Sequence, residues 1–265
     1  MVVHQSNKGV GSARNIGLSF ASGEIIGWVD SDDYVHEDYF EVMVKNIEEH
    51  DVDISMCDVV VEREGRFRYD YQIGNKSKSL NVLEALELLC VDDNCKSWLM
   101  NKCFKRNLFE GISFPERKVL EDYSILHEIF SKARGIFYTR ETFYCYEENP
   151  TSLTHHVSLE DRWSWVYPAA ERYEFIKKNW PSLKEIAFNS FIEIVDGCFI
   201  TAIEQGFDID FWSSPERKEF LNKYKHEIIL NIFRGDNIMC VWRRRRFVLF
   251  SNEVLVFFSI NIFKG

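Results

Sequence analysis

An α/β fold, a mostly parallel sheet with flanking helices followed by a helical C-terminal part, is the architecture this sequence predicts. Three observations point to it. Apolar strand-like runs alternate with amphipathic helical patterns between residues 12 and 90. After about Thr154 long helical stripes take over. The 265 residues are 46% apolar and include 22 Phe, enough to build a sizeable core.

Each element follows from its residues. Val2-Val3-His4-Gln5 reads as the end of a strand, and Asn7 to Gly11 as a loop. Ser12 is placed to cap a helix that Gly23 ends, with Ala13, Ile16 and Phe20 on one face. Ile25-Ile26-Gly27-Trp28-Val29 lacks polar alternation, as expected of a strand buried on both faces of a parallel sheet. A second helix spans about Glu37 to Glu49. Phe40, Met43, Val44 and Ile47 point inward, and Glu37 and Asp38 lie at its positive end. Ile54 to Val61 is a strand, and Asn81 to Cys90 a helix with Val82, Leu83, Leu86 and Leu89 inward. Two later stripes, Trp163, Val166, Tyr167, Ala170 and Tyr173, then Ile186, Ala187, Phe191 and Ile194, predict long helices. The expected divisions are an α/β domain over 1–156, a helical region over 157–236 and a tail over 237–265. In the tail, Arg243 to Arg246 precede an apolar stretch that runs to Phe263 and is broken at Ser251-Asn252-Glu253. The break makes it a poor spanning helix. A basic cluster beside an apolar segment suits peripheral contact with an anionic inner membrane leaflet. A last core element or a frame-shifted tail is the alternative.

Composition narrows function. Lys+Arg 32 against Asp+Glu 42 gives a net charge of −10, which excludes non-specific nucleic-acid binding as the main role. The seven Cys contain no Cys-x-x-Cys pair and read as reduced core residues of a cytoplasmic protein. Met1 to Gly9 has no charged segment followed by an apolar run, so no signal peptide is expected.

The chemistry-bearing feature is Asp30-Ser31-Asp32-Asp33 at the end of an apolar strand. Ligands of open sheets bind at the carboxyl ends of strands. Clustered carboxylates there repel one another unless a cation joins them, and Mg²⁺ or Mn²⁺ is the natural choice. A solvated turn is the plain alternative. Two enzyme classes carry Asp-x-Asp at such a place: phosphohydrolases of the haloacid dehalogenase type, and nucleotide-sugar glycosyltransferases. The first wants a small Thr or Val after the second Asp, where this chain has Asp33.

The order of motifs favours the second class. His4-Gln5-x-Asn7-Lys8-Gly9-Val10-x-x-Ala13-Arg14-Asn15-x-Gly17-Leu18, Gly23-Glu24 and Val29-Asp30-Ser31-Asp32-Asp33-Tyr34 resemble bacterial family 2 glycosyltransferases of the GT-A fold. Trp98-x-x-Asn101-Lys102, Lys105-Arg106-x-Leu108-Phe109, Phe114-Pro115, Leu120-Glu121-Asp122-Tyr123, Tyr144-x-Tyr146 and Ser152-Leu153-Thr154 continue the resemblance. It covers about residues 2 to 156.

The resemblance implies transfer of a sugar from a nucleotide diphosphate, a UDP-sugar, to a carbohydrate acceptor hydroxyl, with inversion, in making a cell-surface polysaccharide. It implies that Asp32, with Asp30, holds Mn²⁺ or Mg²⁺, with His155 as a further candidate ligand. Glu121 and Asp122 form the catalytic pair, with Asp122 as base. The pair begins a helix whose apolar face is Ile125, Leu126, Ile129 and Phe130, and a carboxylate at the start of a helix is favoured in its ionised form. Arg14, Asn15 and Asp30 fall on the donor side, and Trp98, Asn101 and Lys102 on the donor-sugar or acceptor side. The resemblance also implies that the family's opening strands lie before Met1. The chain is then expected to fold poorly and turn over little, and an inactive remnant is the alternative function.

Overall fold

The computed structural model describes residues 1–70, 73, 76–91, 95–116, 120–148, 157–206 and 208–234. Residues Met1–Val195 form one compact unit, and Asp196–Gly265 a second. The boundary lies inside a helix, later than the change of character expected at 156/157. The tail over 237–265 and His155 lie outside the described residues.

Two long strands frame the first unit. Strand β3 (Ile54–Arg63) pairs in parallel with β7 (Ile136–Glu147) along nearly its whole length, with a register shift around Asp58. One edge of each is thereby used, and shorter strands share the other edge. On β3 these are β6 (Lys102–Lys105) beside Ile54–Met56 and β4 (Arg66–Asp70) beside Val59–Arg63. On β7 they are β5 (Lys78–Leu80) and β2 (Tyr34–Val35). Strand β1 (Ile25–Gly27) pairs with β6. All pairings except β3–β7 are antiparallel, so the sheet is mixed where a mostly parallel one was expected. The α/β class holds.

The core explains the strands. Ile54, Met56, Cys57 and Val59 are buried, as are Ile136, Tyr138 and Tyr144 across the ladder. Helix α2 (Tyr39–Glu49) lays Tyr39, Met43, Asn46 and Ile47 on this layer, while Phe40, expected inside, is exposed. Helix α3 (Val82–Val91) buries Ala85, Leu86, Leu89 and Cys90, and Leu83 turns outward. Helix α4 (Tyr123–Lys132) buries Ile125, Leu126, Ile129 and Phe130, the face its sequence predicts. The six cysteines among the described residues are buried thiols outside any disulfide, in line with their pattern.

The front of the chain departs from expectation. Residues 1–9 form no strand, and Val2 and Val3 are exposed; a strand exists only where a ladder partner takes its polar groups. Helix α1 (Val10–Phe20) starts two residues before Ser12, after Gly9 with φ 88, and ends at Ala21 rather than Gly23. Ala13 and Phe20 face out; Gly11 and Ser12 form the buried face. The predicted strand Ile25 to Val29 shortens to Ile25–Gly27 at the sheet edge, with Ile26 buried.

Helices α5 (Leu159–Asn179) and α6 (Lys184–Glu204) confirm the helical C-terminal part. Ser158 caps α5 in a reciprocal capping box with Asp161. Arg172 of α5 is fully buried and donates to Tyr123 O at 2.6 Å, Ser97 Oγ at 3.0 Å and Leu89 O at 3.3 Å. Its guanidinium also lies 3.3 Å over the Tyr123 ring. These contacts fasten α5 to the start of α4. The helical span Pro181–Glu204 is long and apolar enough to cross a membrane, yet 44% of its apolar window is buried. In the second unit, helices α7 (Ile209–Ser213) and α8 (Pro215–Arg234) follow, and Phe199 stacks on Trp212 at 4.6 Å.

One buried carboxylate ties the base of the sheet. Asp53 accepts from Lys105 Nζ at 2.9 Å, and from Arg134 Nη2 at 2.9 Å and its backbone N–H at 2.8 Å. Burial alone would raise its pKa, but the bonds from Arg134 and Lys105 prevail and hold it at about 2. Folding therefore favours the ionised form. The stabilisation is full above the ordinary value of 3.8 and is lost as pH falls toward 2. Asp53→Asn is expected to lower unfolding free energy by about 2 kcal/mol at pH 7. In urea titrations the difference from the parent should shrink below about pH 3.

Candidate functional site

Three elements converge on one cation. Arg14, on the second turn of α1, donates from Nη1 to Glu121 Oε1 in a close ion pair and from Nη2 to Asp30 Oδ1 at 3.3 Å. Asp30 follows β1, and Glu121 precedes α4, so residues 107 apart in the chain meet here. The Arg14 side chain is only 10% exposed, and its guanidinium lies about 6 Å from the rings of Trp28 and Phe114. Such apolar walls keep water away and strengthen the attraction.

The neighbouring backbone explains why α1 sits there. Asn15 donates from Nδ2 to Phe114 O and accepts at Oδ1 from the Phe114 N–H, both at 2.8 Å. Gly11 meets Pro115 so closely that an added Cβ would lie 2.3 Å from its carbonyl oxygen. Asn15 thus positions the helix through Phe114. On the far side, Leu120 adopts φ 62, unusual for a non-glycine residue. Ser124 holds its carbonyl, with Oγ at 2.7 Å and N–H at 3.1 Å.

Asp122 caps α4, accepting the Tyr123 N–H at 2.7 Å. Its helix-start position was expected to favour the ionised form. Burial dominates instead: with help from the charge of Glu121 it raises the Asp122 pKa to about 7, against the opposing pull of Arg14. A carboxylate near neutrality can accept a proton in the forward step and release it afterwards.

The acidic turn has its own supports. Asp33 N–H donates to Asp30 O at 3.1 Å. Tyr144 of β7 accepts the Asp30 N–H at 3.1 Å and donates its hydroxyl proton to Asp33 Oδ2 at 2.7 Å. The Glu147 N–H donates to Asp33 Oδ1 at 3.0 Å. Burial raises the Asp33 pKa to about 6, with these two bonds opposing and Asp30 and Asp32 adding to the rise. Asp32 is exposed. In the sequence Tyr144 stands out only as part of a Tyr-x-Tyr stretch. No local signal could reveal its role, since 111 residues separate it from Asp33.

The remaining candidates make contacts of their own. Lys102 is fully buried and donates to Lys96 O at 3.0 Å, Trp98 O at 2.7 Å and Asn101 Oδ1 at 2.8 Å. Asn101 Nδ2 donates to Cys57 O at 2.7 Å. Both close the 96–101 segment onto β3 from inside. Trp98 is half-buried and stacks on Tyr146 at 5.9 Å.

Among the described residues no three His, Cys, Asp or Glu side chains gather as a metal cage. At the turn, Asp30 and the exposed Asp32 would offer two carboxylates. Such a pair fits a hard divalent ion that keeps water and takes the rest of its shell from phosphate oxygens.

A mixed sheet with an acidic turn after a strand, faced by a carboxylate at a helix start, defines a GT-A-like fold. Comparison with solved structures agrees. S. aureus TarS 1-349 in complex with UDP-GlcNAc superposes with a TM-score of 0.59 at 18% identity, covering 84% of this chain and 62% of that one. TarS 1-349 in complex with UDP gives 0.56 at 19%, covering 81% and 58%. Residues 1–107 match the model for glycosyl transferase family 2. Glycosyltransferase GlyA of Streptococcus pneumoniae is 30% identical over 162 residues, 58% of this chain and 23% of its own. The uncharacterized glycosyltransferase EpsJ of Bacillus subtilis is 32% identical over 158 residues, 58% and 46%. The minor teichoic acid biosynthesis protein GgaB of Bacillus subtilis is 28% identical over 166 residues, 60% and 18%. Over these segments the chain is similar to glycosyl transferase family 2. It spans less than half the length of these curated relatives.

Arg14 lowers the pKa of Asp122 while burial and Glu121 raise it. Arg14→Met should therefore move that pKa above its present value of about 7. Carboxyl ¹³C NMR titration of Asp122 reads the shift directly.

Proposed function

We propose that this chain carries the catalytic part of an inverting glycosyltransferase. It moves a sugar from a UDP-sugar to an acceptor hydroxyl in the synthesis of a cell-surface polysaccharide, at the cytoplasmic side of the membrane. The observation that carries the reading is the Arg14 bridge, which sets the acidic turn beside the Glu121–Asp122 helix start. The names of the relatives, from glycosyltransferases to a teichoic acid biosynthesis protein, support the polymer class. The UDP-GlcNAc bound to TarS supports the donor class.

The residues divide the work. Asp32, with Asp30, would hold Mn²⁺ or Mg²⁺ against the donor diphosphate. That ion supplies positive charge where the leaving diphosphate gains negative charge. Arg14 keeps the Asp30 carboxylate at the turn. Asp122 takes the proton of the acceptor hydroxyl as that oxygen bonds to the anomeric carbon. The bond from that carbon to the diphosphate oxygen breaks on the opposite face, which inverts the centre. Glu121, paired with Arg14, holds the helix start in place.

Three outcomes follow from these roles. Asp32→Ala should abolish the Mn²⁺-dependent part of UDP-sugar binding measured by calorimetry; unchanged binding would remove its metal role. Asp122→Asn should keep donor affinity and lower kcat by about 10²- to 10⁴-fold. As a base, Asp122 works only when ionised, so kcat should rise with pH through about 7 and then level off. A flat profile from pH 6 to 8 would discard it.

A further inference from the structure

The acidic turn contains three aspartates, and the structure separates their duties. Asp33 turns both carboxylate oxygens toward β7: Oδ2 accepts from the Tyr144 hydroxyl at 2.7 Å, and Oδ1 from the Glu147 N–H at 3.0 Å. The same Tyr144 oxygen accepts the Asp30 N–H at 3.1 Å. One phenol thus grips the first and last residues of the turn, and the Asp33 N–H to Asp30 O bond closes it from within. Directly after the turn, β2 registers on β7, with Val35 opposite Tyr144 itself.

The grip is anchored in the core. Tyr144 has no exposed surface and packs with Tyr39, Met43, Cys57 and Val59. Its ring meets that of Tyr39 edge to face at 6.2 Å. A hydroxyl held in this way fixes a backbone turn that exposed aspartates alone would leave loose.

We propose that Tyr144 is the positioning residue of the acidic turn and that it acts through Asp33, an anchor rather than a metal ligand. Asp30 and Asp32 are thereby presented to a divalent cation. This rests on the metal role proposed above for Asp30 and Asp32.

The test uses the full chain and two readouts. Hydrogen exchange of the 30–33 segment reports the grip without any metal. Titration of free Mn²⁺ by electron paramagnetic resonance reports its consequence. Tyr144→Phe removes one oxygen and keeps every carboxylate. It should speed exchange at 30–33 and weaken Mn²⁺ binding, each by roughly tenfold, the worth of a hydrogen bond to a charged group. Asp33→Ala breaks the grip without touching the core and should match it. Asp33→Asn keeps an acceptor for the Glu147 N–H and a polar contact for Tyr144 while losing the charge. Its Mn²⁺ affinity should fall less than in Asp33→Ala and far less than in Asp32→Ala.

Unchanged exchange and affinity in Tyr144→Phe would overturn the proposal. So would loss of Mn²⁺ binding in Asp33→Asn as complete as in Asp32→Ala, because Asp33 would then be a ligand. Faster exchange throughout β3 and α4 would mark a general packing defect and equally overturn it. If the parent chain binds no Mn²⁺, the metal reading fails by itself, and exchange in Tyr144→Phe still decides whether this residue holds the turn.

Discussion

The candidate site depends on a single guanidinium. Arg14 belongs to a helix outside the sheet, yet its two donor nitrogens reach carboxylates from the end of β1 and the approach to α4. Those carboxylates and Asp122 would otherwise repel one another across a small space walled by Trp28 and Phe114. In such surroundings a charge without a partner is expensive, so the cation does more than link three segments. It allows them to be close. Asn15 and Gly11 make this possible by locking α1 to Phe114 and Pro115. Neither residue has a charge, and both determine where the charge of Arg14 falls.

The scaffold beneath the site is the β3–β7 pair. Because each long strand spends one whole edge on the other, its remaining edge accepts two short strands in succession. That arrangement brings β2, immediately after the acidic turn, onto the same strand that supplies Tyr144. From the other side, Arg172 reaches the Tyr123 carbonyl at the first residue of α4, next to Asp122. A helix of the C-terminal part therefore braces the site, and the helical region is more than an appendage.

Much of this was legible in the residues, and the failures have physical causes. The α4 face was read correctly because four apolar residues at helical spacing mark a buried stripe without ambiguity. The α1 face was misread because counting apolar side chains overlooks burial by backbone approach, which Gly11 and Ser12 use. The run from Ile25 looked like a central strand because an apolar run does not reveal how many ladder neighbours it has. The mixed sheet was hidden because β4, Arg66–Asp70, and β5, Lys78–Leu80, are largely polar and carry no strand signature. Motif order placed Arg14, Asp30, Glu121 and Asp122 in one site, and the structure brings them together. Asn101 and Lys102 belong to the same motif series, yet their polar atoms serve the interior, a distinction that spacing does not encode.

The span of the β3–β7 pairing also bears on when the site comes into being. Ile54 faces Ile136 across the ladder, and everything from β4 to α4 intervenes. Pairs so distant in sequence close late, because the entropy of the intervening loop must be overcome first. During synthesis the acidic turn leaves the ribosome long before Tyr144 exists to hold it. Until β7 docks, Asp30 and Asp33 lack the Tyr144 and Glu147 contacts that hold the turn. The nascent chain thus carries its acidic residues early and acquires their geometry near the end of folding.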